Sequence, residues 1–275
     1  MTHSGKTIVE ILENNGLRPS RALGQNFLAD ANTARRITRL AGVGAGDQVV
    51  EIGAGLGSLT LALVETGAVV KAIEIDRFLL PILRGIVEPH GVEVVAGDAL
   101  ELDWSALLGA GDRPWMLVAN LPYNVSTPLL LDLLAKVPQI TRFLVMVQRE
   151  VAERLAADPG SKACGIPSAK RAWWATAKIL GTVPASVFIP RPNVESALLQ
   201  LVRRAEPAGP DPDPVFRLIE AGFAQRRKML RGSLAAFTTA DAFTAAGIDP
   251  TSRGESLTLS QWQQLAAAVA LHPLP

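Results

Sequence analysis

An α/β fold, doubly wound around a mostly parallel sheet and followed by a small helical domain, is what this chain predicts. Three observations carry it. Short apolar runs alternate with helical segments from residue 48 to residue 202, several runs end on a glycine or a polar side chain, and a Pro/Gly-rich stretch at 207–214 precedes a helical C-terminal region. Strands alternating with helices imply a sheet covered on both faces. Ligands of such sheets bind outside the carboxyl ends of the strands.

The first strand is Gln48-Val49-Val50-Glu51-Ile52, followed by the turn Gly53-Ala54-Gly55-Leu56-Gly57 and a helix over 58–65 that Gly67 ends. Glycines at a strand-to-helix turn permit positive φ and close approach of a ligand. The second strand, 68–73, delivers Glu74, with Asp76 just beyond. A carboxylate about 20 residues past the glycines is placed to grip ribose hydroxyls. The third strand, 92–96, delivers Gly97-Asp98, and Asp98 can bind an adenine amine. The fourth, Met116-Leu117-Val118-Ala119, runs into Asn120-Leu121-Pro122-Tyr123. Ser126 then caps a helix with Pro128 in its first turn. Strands at 142–147, 176–183 and 196–202 complete seven, with a helix over 150–157 stopped by Asp158-Pro159-Gly160.

With 48% hydrophobic and 19% charged residues in 275, the chain has the make-up of a globular protein with one large domain and an appendage. The expected division is 1–207 and 208–275, across the linker Pro207-Ala208-Gly209-Pro210-Asp211-Pro212-Asp213-Pro214. No apolar stretch approaches the roughly 20 residues of a membrane span. The lone Cys164 allows no internal disulfide or multi-cysteine metal site, which fits a reducing cytoplasm. His3, His90 and His272 lack ligand spacing, so no metal is expected. A net charge of +1 confines any nucleic-acid surface to a patch, and Arg226, Arg227, Lys228 and Arg231 form one in an otherwise charge-balanced C-terminal region. A last helix is expected over 261–271, with Ser260 as cap and Gln263 completing a capping-box pair.

The chemistry is most legible at Asn120-Leu121-Pro122-Tyr123. The Asn side-chain carbonyl and an adjacent backbone carbonyl can accept both hydrogens of one exocyclic amine, aiming its lone pair at an electrophile. Pro122 stiffens the turn, and Tyr123 offers a face on which a base can stack. The glycine turn alone leaves two cofactor classes open. Ser58 stands where a dinucleotide fingerprint places its third Gly or Ala, which disfavours a nicotinamide oxidoreductase. Glycines, Glu74 and Asp98 at successive strand ends better suit S-adenosylmethionine (SAM).

Together these residues resemble the ribosomal RNA adenine N6-dimethyltransferase family, and within it the bacterial small-subunit (16S) branch. The likeness runs from about residue 18 to 265. It is carried by Leu23-Gly24-Gln25-Asn26-Phe27-Leu28 with Asp30, Glu51-Ile52-Gly53-Ala54-Gly55-Leu56-Gly57 and Ile73-Glu74-Ile75-Asp76. It continues in Asn120-Leu121-Pro122-Tyr123-Asn124, Gln148-Arg149-Glu150, Phe188-Ile189-Pro190-Arg191-Pro192 and Gln225-Arg226-Arg227-Lys228. The first and fourth motifs are the specific ones. Cys164, Gly232, Ala54 and Gly254 depart from the family pattern, and none of them touches the proposed chemistry.

The resemblance implies a Rossmann-like class I SAM-dependent methyltransferase fold. It implies dimethylation of two adjacent adenosines in the 3′-terminal hairpin of 16S rRNA, by a monomer acting on the small ribosomal subunit precursor during ribosome biogenesis. Asn26, Leu28, Gly53, Glu74, Asp98 and Asn120 would contact SAM or shape its pocket. Asn120, Pro122 and Tyr123 would hold the target base, with Phe188 on its opposite face. Phe188 taken alone reads as a core aromatic, and Trp173-Trp174 as packing. Arg226, Arg227, Lys228 and Arg231 would hold phosphates. The rivals are a 23S dimethyltransferase of the antibiotic-resistance type and a non-catalytic assembly factor on the same fold.

Overall fold

A computed structural model describes residues 2–109, 111 and 113–272. The elements are α1 (Gly5–Asn14), β1 (Phe27–Leu28), α2 (Ala31–Ala41), β2 (Gln48–Ile52), α3 (Ser58–Val64), β3 (Val69–Glu74), α4 (Leu80–Val87), β4 (Glu93–Ala96), α5 (Trp104–Leu108), β5 (Trp115–Asn120) and α6 (Ser126–Lys136). After them come β6 (Ile140–Gln148), α7 (Arg149–Ala156), α8 (Ile166–Trp174), β7 (Ala175–Val183), β8 (Phe188–Ile189), β9 (Ser196–Arg203), α9 (Asp213–Ala224), α10 (Leu230–Ser233), α11 (Ala240–Ala245) and α12 (Leu259–Leu271). None of the described helices is long and apolar enough to cross a membrane.

A seven-stranded sheet runs β4-β3-β2-β5-β6-β9-β7. The pairs from β4 to β6 are parallel and β6 pairs β9 antiparallel. Its central strands are largely buried because helices cover both faces: Trp115 to Ala119 of β5 are all buried. The chain order reverses between β2 and β5, which are in register at Gln48↔Trp115 and Val50↔Leu117. That switch point is where open α/β sheets bind ligands, and Gly53 and Asn120 leave the sheet there. Behind it lies a core that includes Val49, Leu59, Leu63, Val118, Leu144 and Leu198.

Two features of this unit were not foreseen. Phe27↔Ile189 and Leu28↔Phe188 pair β1 with β8 in a separate two-stranded ribbon. The helix α1, capped by the Ser4 hydroxyl on the Thr7 N–H, joins Ile8 and Leu12 to Phe27, Leu56 and Leu79 in a satellite cluster.

The chain forms two compact units, one of residues up to Ala152 with Ala177–Arg203, the other of Glu153–Thr176 with Arg204 onward. The single boundary expected after residue 207 therefore differs from the observed grouping; the last residues of the expected 208–275 segment lie outside the described ones. The reason is packing. α8 places Trp173 in one core with Val215, Leu218, Ile219 and Trp262, and Trp173 meets Phe216 edge-on at 5.8 Å. Gly222 is required in α9, since a Cβ there would come within 2.6 Å of the Trp262 ring.

Two capping expectations are corrected. α12 starts earlier than foreseen: Thr258 is its cap, accepting from the Gln261 N–H at 3.3 Å while Gln261 Oε1 accepts from the Thr258 N–H at 2.9 Å. Gln263 instead donates to the Ala208 carbonyl at 2.6 Å. Ser126 is the first residue of α6 rather than its cap; it is buried, with its hydroxyl 3.4 Å from the Tyr123 carbonyl.

Candidate active site

The glycine turn is shaped by what lies against it. Gly55 has φ +58°, and a Cβ there would sit 3.1 Å from the Phe27 ring; Gly57 has φ +81°, and its Cβ would meet Val87 at 2.9 Å. Both demands exclude a side chain. Glu74 then pins the turn from the end of β3. It accepts from the Gly55 N–H at 2.7 Å, the Ile75 N–H at 3.0 Å and the Asp76 N–H at 2.9 Å. Burial pushes its pKa up, and these backbone bonds oppose the rise.

The segment 22–28 is tied across this turn from both sides. Gln25 donates to Asp76 at 2.7 Å. The Asn120 side-chain Nδ2 donates to the Asn26 carbonyl at 3.0 Å, and Asn124 reaches the Ala22 carbonyl at 3.4 Å. With Nδ2 committed, the Asn120 Oδ1 is left as an acceptor with no protein donor among the described residues. Asn26, Leu28, Gly53, Glu74, Asn120, Pro122 and Tyr123 all line one cleft of about 690 Å³, open mouth included. Asp98 lines a neighbouring hollow of about 600 Å³ with Ile73, Leu100 and Leu129. The two spaces share Leu23, Gly53, Ile75 and Pro122. Asp98 holds the Leu100 N–H with one oxygen at 2.9 Å.

Tyr123 is half-buried, its hydroxyl 2.7 Å from the Ser196 hydroxyl. Burial raises its pKa, so the phenol stays protonated. Phe188 is elsewhere. It is 2% exposed, pairs with Leu28 across the ribbon and belongs to the main core. A ring so enclosed has no face to offer a base, and the stacking role expected for it does not fit this conformation.

The basic cluster divides as well. Arg226 pairs with Glu255 at 2.9 Å and donates to the carbonyls of Lys162 at 2.6 Å and Cys164 at 3.2 Å. Arg227, Lys228 and Arg231 are exposed, with no ion-pair partner among the described residues.

Sequence reasoning passed over three parts of this region. Glu51 lines the cleft at 1% exposure, and its Oε2 has no hydrogen-bond partner. Burial pushes its pKa to about 8; the nearby Glu74 charge adds to the rise and the Thr60 hydroxyl opposes it. The available signal was a carboxylate inside the run Val49-Val50-Glu51-Ile52, which has to be buried. Ser196, partner of Tyr123, and His3, whose Nε2–H donates to the Leu56 carbonyl at 2.9 Å, had no comparable signal.

The family model described as ribosomal RNA adenine dimethylase matches residues 16–270. A relative from Cutibacterium acnes, named ribosomal RNA small subunit methyltransferase A, is 50% identical, over 96% of this chain and 93% of its own. The crystal structure of a dimethyladenosine transferase from Plasmodium falciparum superposes with a TM-score of 0.76 at 21% identity, covering 89% of this chain and 98% of that one, and supports the fold. That of the 23S rRNA methyltransferase ErmE superposes with a TM-score of 0.67 at 25% identity, covering 89% of this chain and 100% of that one. The fold is thus the class I SAM-dependent methyltransferase fold with a mixed sheet and a C-terminal helical region. The chain belongs to the ribosomal RNA adenine dimethylase family, SAM-dependent methyltransferases of adenine in ribosomal RNA.

Proposed function

We propose that this enzyme dimethylates the N6 amine of two adjacent adenosines in the 3′-terminal hairpin of 16S rRNA, during biogenesis of the small ribosomal subunit in the cytoplasm. The observation that carries the chemical reading is the Asn120 amide. Its nitrogen is spent on Asn26, so its oxygen stands ready as an acceptor at the switch point of the sheet. The 50% identity to a small-subunit methyltransferase, against 25% to a 23S enzyme, favours the small-subunit target. The non-catalytic reading is weakened by the intact constellation of Asn120, Tyr123, Glu74 and Asp98.

The cleft residues fit SAM. Among the described residues, Glu51 Oε2 and Ser58 Oγ are buried on the cleft wall without partners, and no Lys, Arg or His lines the cleft, which suits a cationic ligand. Glu74 would hold ribose hydroxyls, although three backbone N–H groups already occupy most of the roughly four lone-pair sites of a carboxylate. Asp98, in the apolar hollow, would take the adenine amine. Gly53, Asn26 and Leu28 would shape the methionine side.

When bound, SAM supplies an already activated methyl group. The chain's own task is then positioning, with nitrogen and methyl carbon held about 3–3.5 Å apart. Asn120 Oδ1 accepts one hydrogen of the target amine, and a neighbouring backbone carbonyl, of Leu121 or Pro122, accepts the other. After one transfer a single hydrogen remains, so one acceptor suffices for the second round. Tyr123, steadied through its hydroxyl by Ser196, stacks on the extruded base. That contact returns roughly 1–3 kcal/mol against an unstacking cost of a few kcal/mol. Arg227, Lys228 and Arg231 would hold phosphates, setting register without reading sequence, which makes the C-terminal unit the RNA-binding part.

The test is to incubate the enzyme and labelled SAM with unmodified small- and large-subunit particles and to map the modified bases. Two adjacent dimethyladenosines near the 3′ end of the small-subunit RNA are expected. Label confined to large-subunit RNA would reject the assignment.

A further inference from the structure

We propose that His3 is a positioning residue for the cofactor, holding the glycine turn in its binding shape through the Leu56 carbonyl while α1 backs the same wall of the cleft. The inference rests on the SAM reading above. His3 Nε2 lies 2.9 Å from the Leu56 carbonyl oxygen, 53 residues along the chain. A carbonyl only accepts, so Nε2 carries the hydrogen. The ladder of α3 leaves that carbonyl to other donors, because it opens one residue later, where Gly57 accepts from the Leu61 N–H at 2.9 Å. The turn is thus tied at two successive residues. Glu74 takes the Gly55 N–H from the sheet side, and His3 takes the Leu56 carbonyl from the N-terminal segment.

Packing extends the tie. Phe27 and Leu56 both line the cleft, and both are buried in one cluster with Ile8 and Leu12 of α1 and with Leu79. Leu79 donates its N–H to the Asp76 carbonyl at 3.0 Å, and the Asp76 carboxylate accepts from Gln25. The segment before β1, the glycine turn and the turn after β3 therefore share one apolar backing, which α1 supplies. The glycine turn needs such support. Gly53, Gly55 and Gly57 all have positive φ, and glycine has more backbone freedom to lose than any other residue. A site that is competent only part of the time binds its ligand more weakly in proportion. Contacts that hold the turn from outside then act on SAM affinity without touching SAM.

Calorimetric titration of SAM into the full chain tests this. His3→Ala should weaken the SAM Kd about three- to tenfold, the effect of losing one net hydrogen bond. His3→Gln, whose Nε2 also donates, should recover most of the affinity. At saturating SAM, kcat and the Kd for hairpin RNA should stay within about twofold of wild type, because only the competent fraction of the cofactor site has changed. Coupling is reciprocal, so SAM should slow hydrogen exchange at the Ile8 and Leu12 amides in the wild type and do so less in His3→Ala. An unchanged SAM Kd in His3→Ala, or equal losses in the Ala and Gln variants, would overturn the proposal. So would a joint fall in kcat and RNA affinity, which marks general loosening of the fold. No binding heat with the wild type would instead sink the SAM reading itself.

Discussion

The cleft and the basic turn after α9 solve recognition in opposite ways. In the cleft, Asn120 commits its nitrogen to the Asn26 carbonyl, Gln25 commits both ends, to Asp76 and the Ser20 N–H, and Glu74 commits both oxygens to backbone N–H groups, which fixes the direction of each. In the basic turn Arg226 is committed, while Arg227, Lys228 and Arg231 are exposed. The difference follows from the work each region is given. Methyl transfer is sensitive to placement on the ångström scale, so its groups are oriented before a ligand arrives. Phosphate neutralisation depends on charge and counterion release and tolerates mobile side chains.

Breaking the committed end of Asn120 should therefore cost most. Asn120→Ala is expected to lower the rate of transfer by about a hundredfold or more, with RNA binding nearly unchanged in a filter or polarisation assay. A turnover within a few-fold of wild type would remove Asn120 from the reaction. Glu74→Ala comes next. It removes three hydrogen bonds to a charged acceptor from the glycine turn together with the proposed ribose contact. Charged hydrogen bonds contribute roughly 1.5–3 kcal/mol each, so a SAM Kd weakened by about ten- to a hundredfold is expected by titration. An unaltered Kd would mean that the turn holds its shape without Glu74.

Glu51 sharpens the contrast, because it is a cleft carboxyl with an uncommitted buried oxygen. Its pKa rises from 4.5 to about 8 on folding. Below pH 4.5 both folded and unfolded chains hold the proton. Between there and about 8 the unfolded chain loses it and the folded chain keeps it, so stability falls as pH rises, by at most about 1.4 kcal/mol per unit. Glu51→Gln should cancel that slope, and the variant's advantage in urea unfolding should widen from pH 5 to pH 7. Parallel curves would place Glu51 in contact with solvent or a cation.

How far each region could be read in advance follows the same division. Strand ends announced themselves: the run from Met116 to Ala119 has to be buried, so the Asn120 that ends it is at the carboxyl end of the sheet. Glycines marked the turn because a side chain at 55 or 57 would collide with Phe27 or Val87. What stayed hidden depends on pairings between distant residues. β1 and β8 have two residues each and no periodicity, and their pairing joins positions far apart in sequence. Phe188 could be assigned to the site or to the core only once its neighbours were known. Trp173 belongs with Trp262 because of apolar packing that no linker composition signals. Thr258 and Ser260 are both competent caps in sequence; the extended backbone at Thr258, φ −73° and ψ 163°, decides between them.

The basic turn yields the smallest effect and the sharpest internal control. If Arg227, Lys228 and Arg231 meet phosphates, Arg227→Ala should reduce the slope of log affinity against log salt by about one for hairpin RNA, with the melting temperature unchanged. Arg226→Ala should do the reverse. Its guanidinium holds Glu255 and two carbonyls around Lys162 and Cys164, so its loss should lower the melting temperature of the folded chain and leave the salt slope nearly intact. Adjacent residues of one type would then separate into a structural clamp and an electrostatic contact. Equal salt-slope changes in both variants would show instead that Arg226 gives up its protein partners when RNA binds.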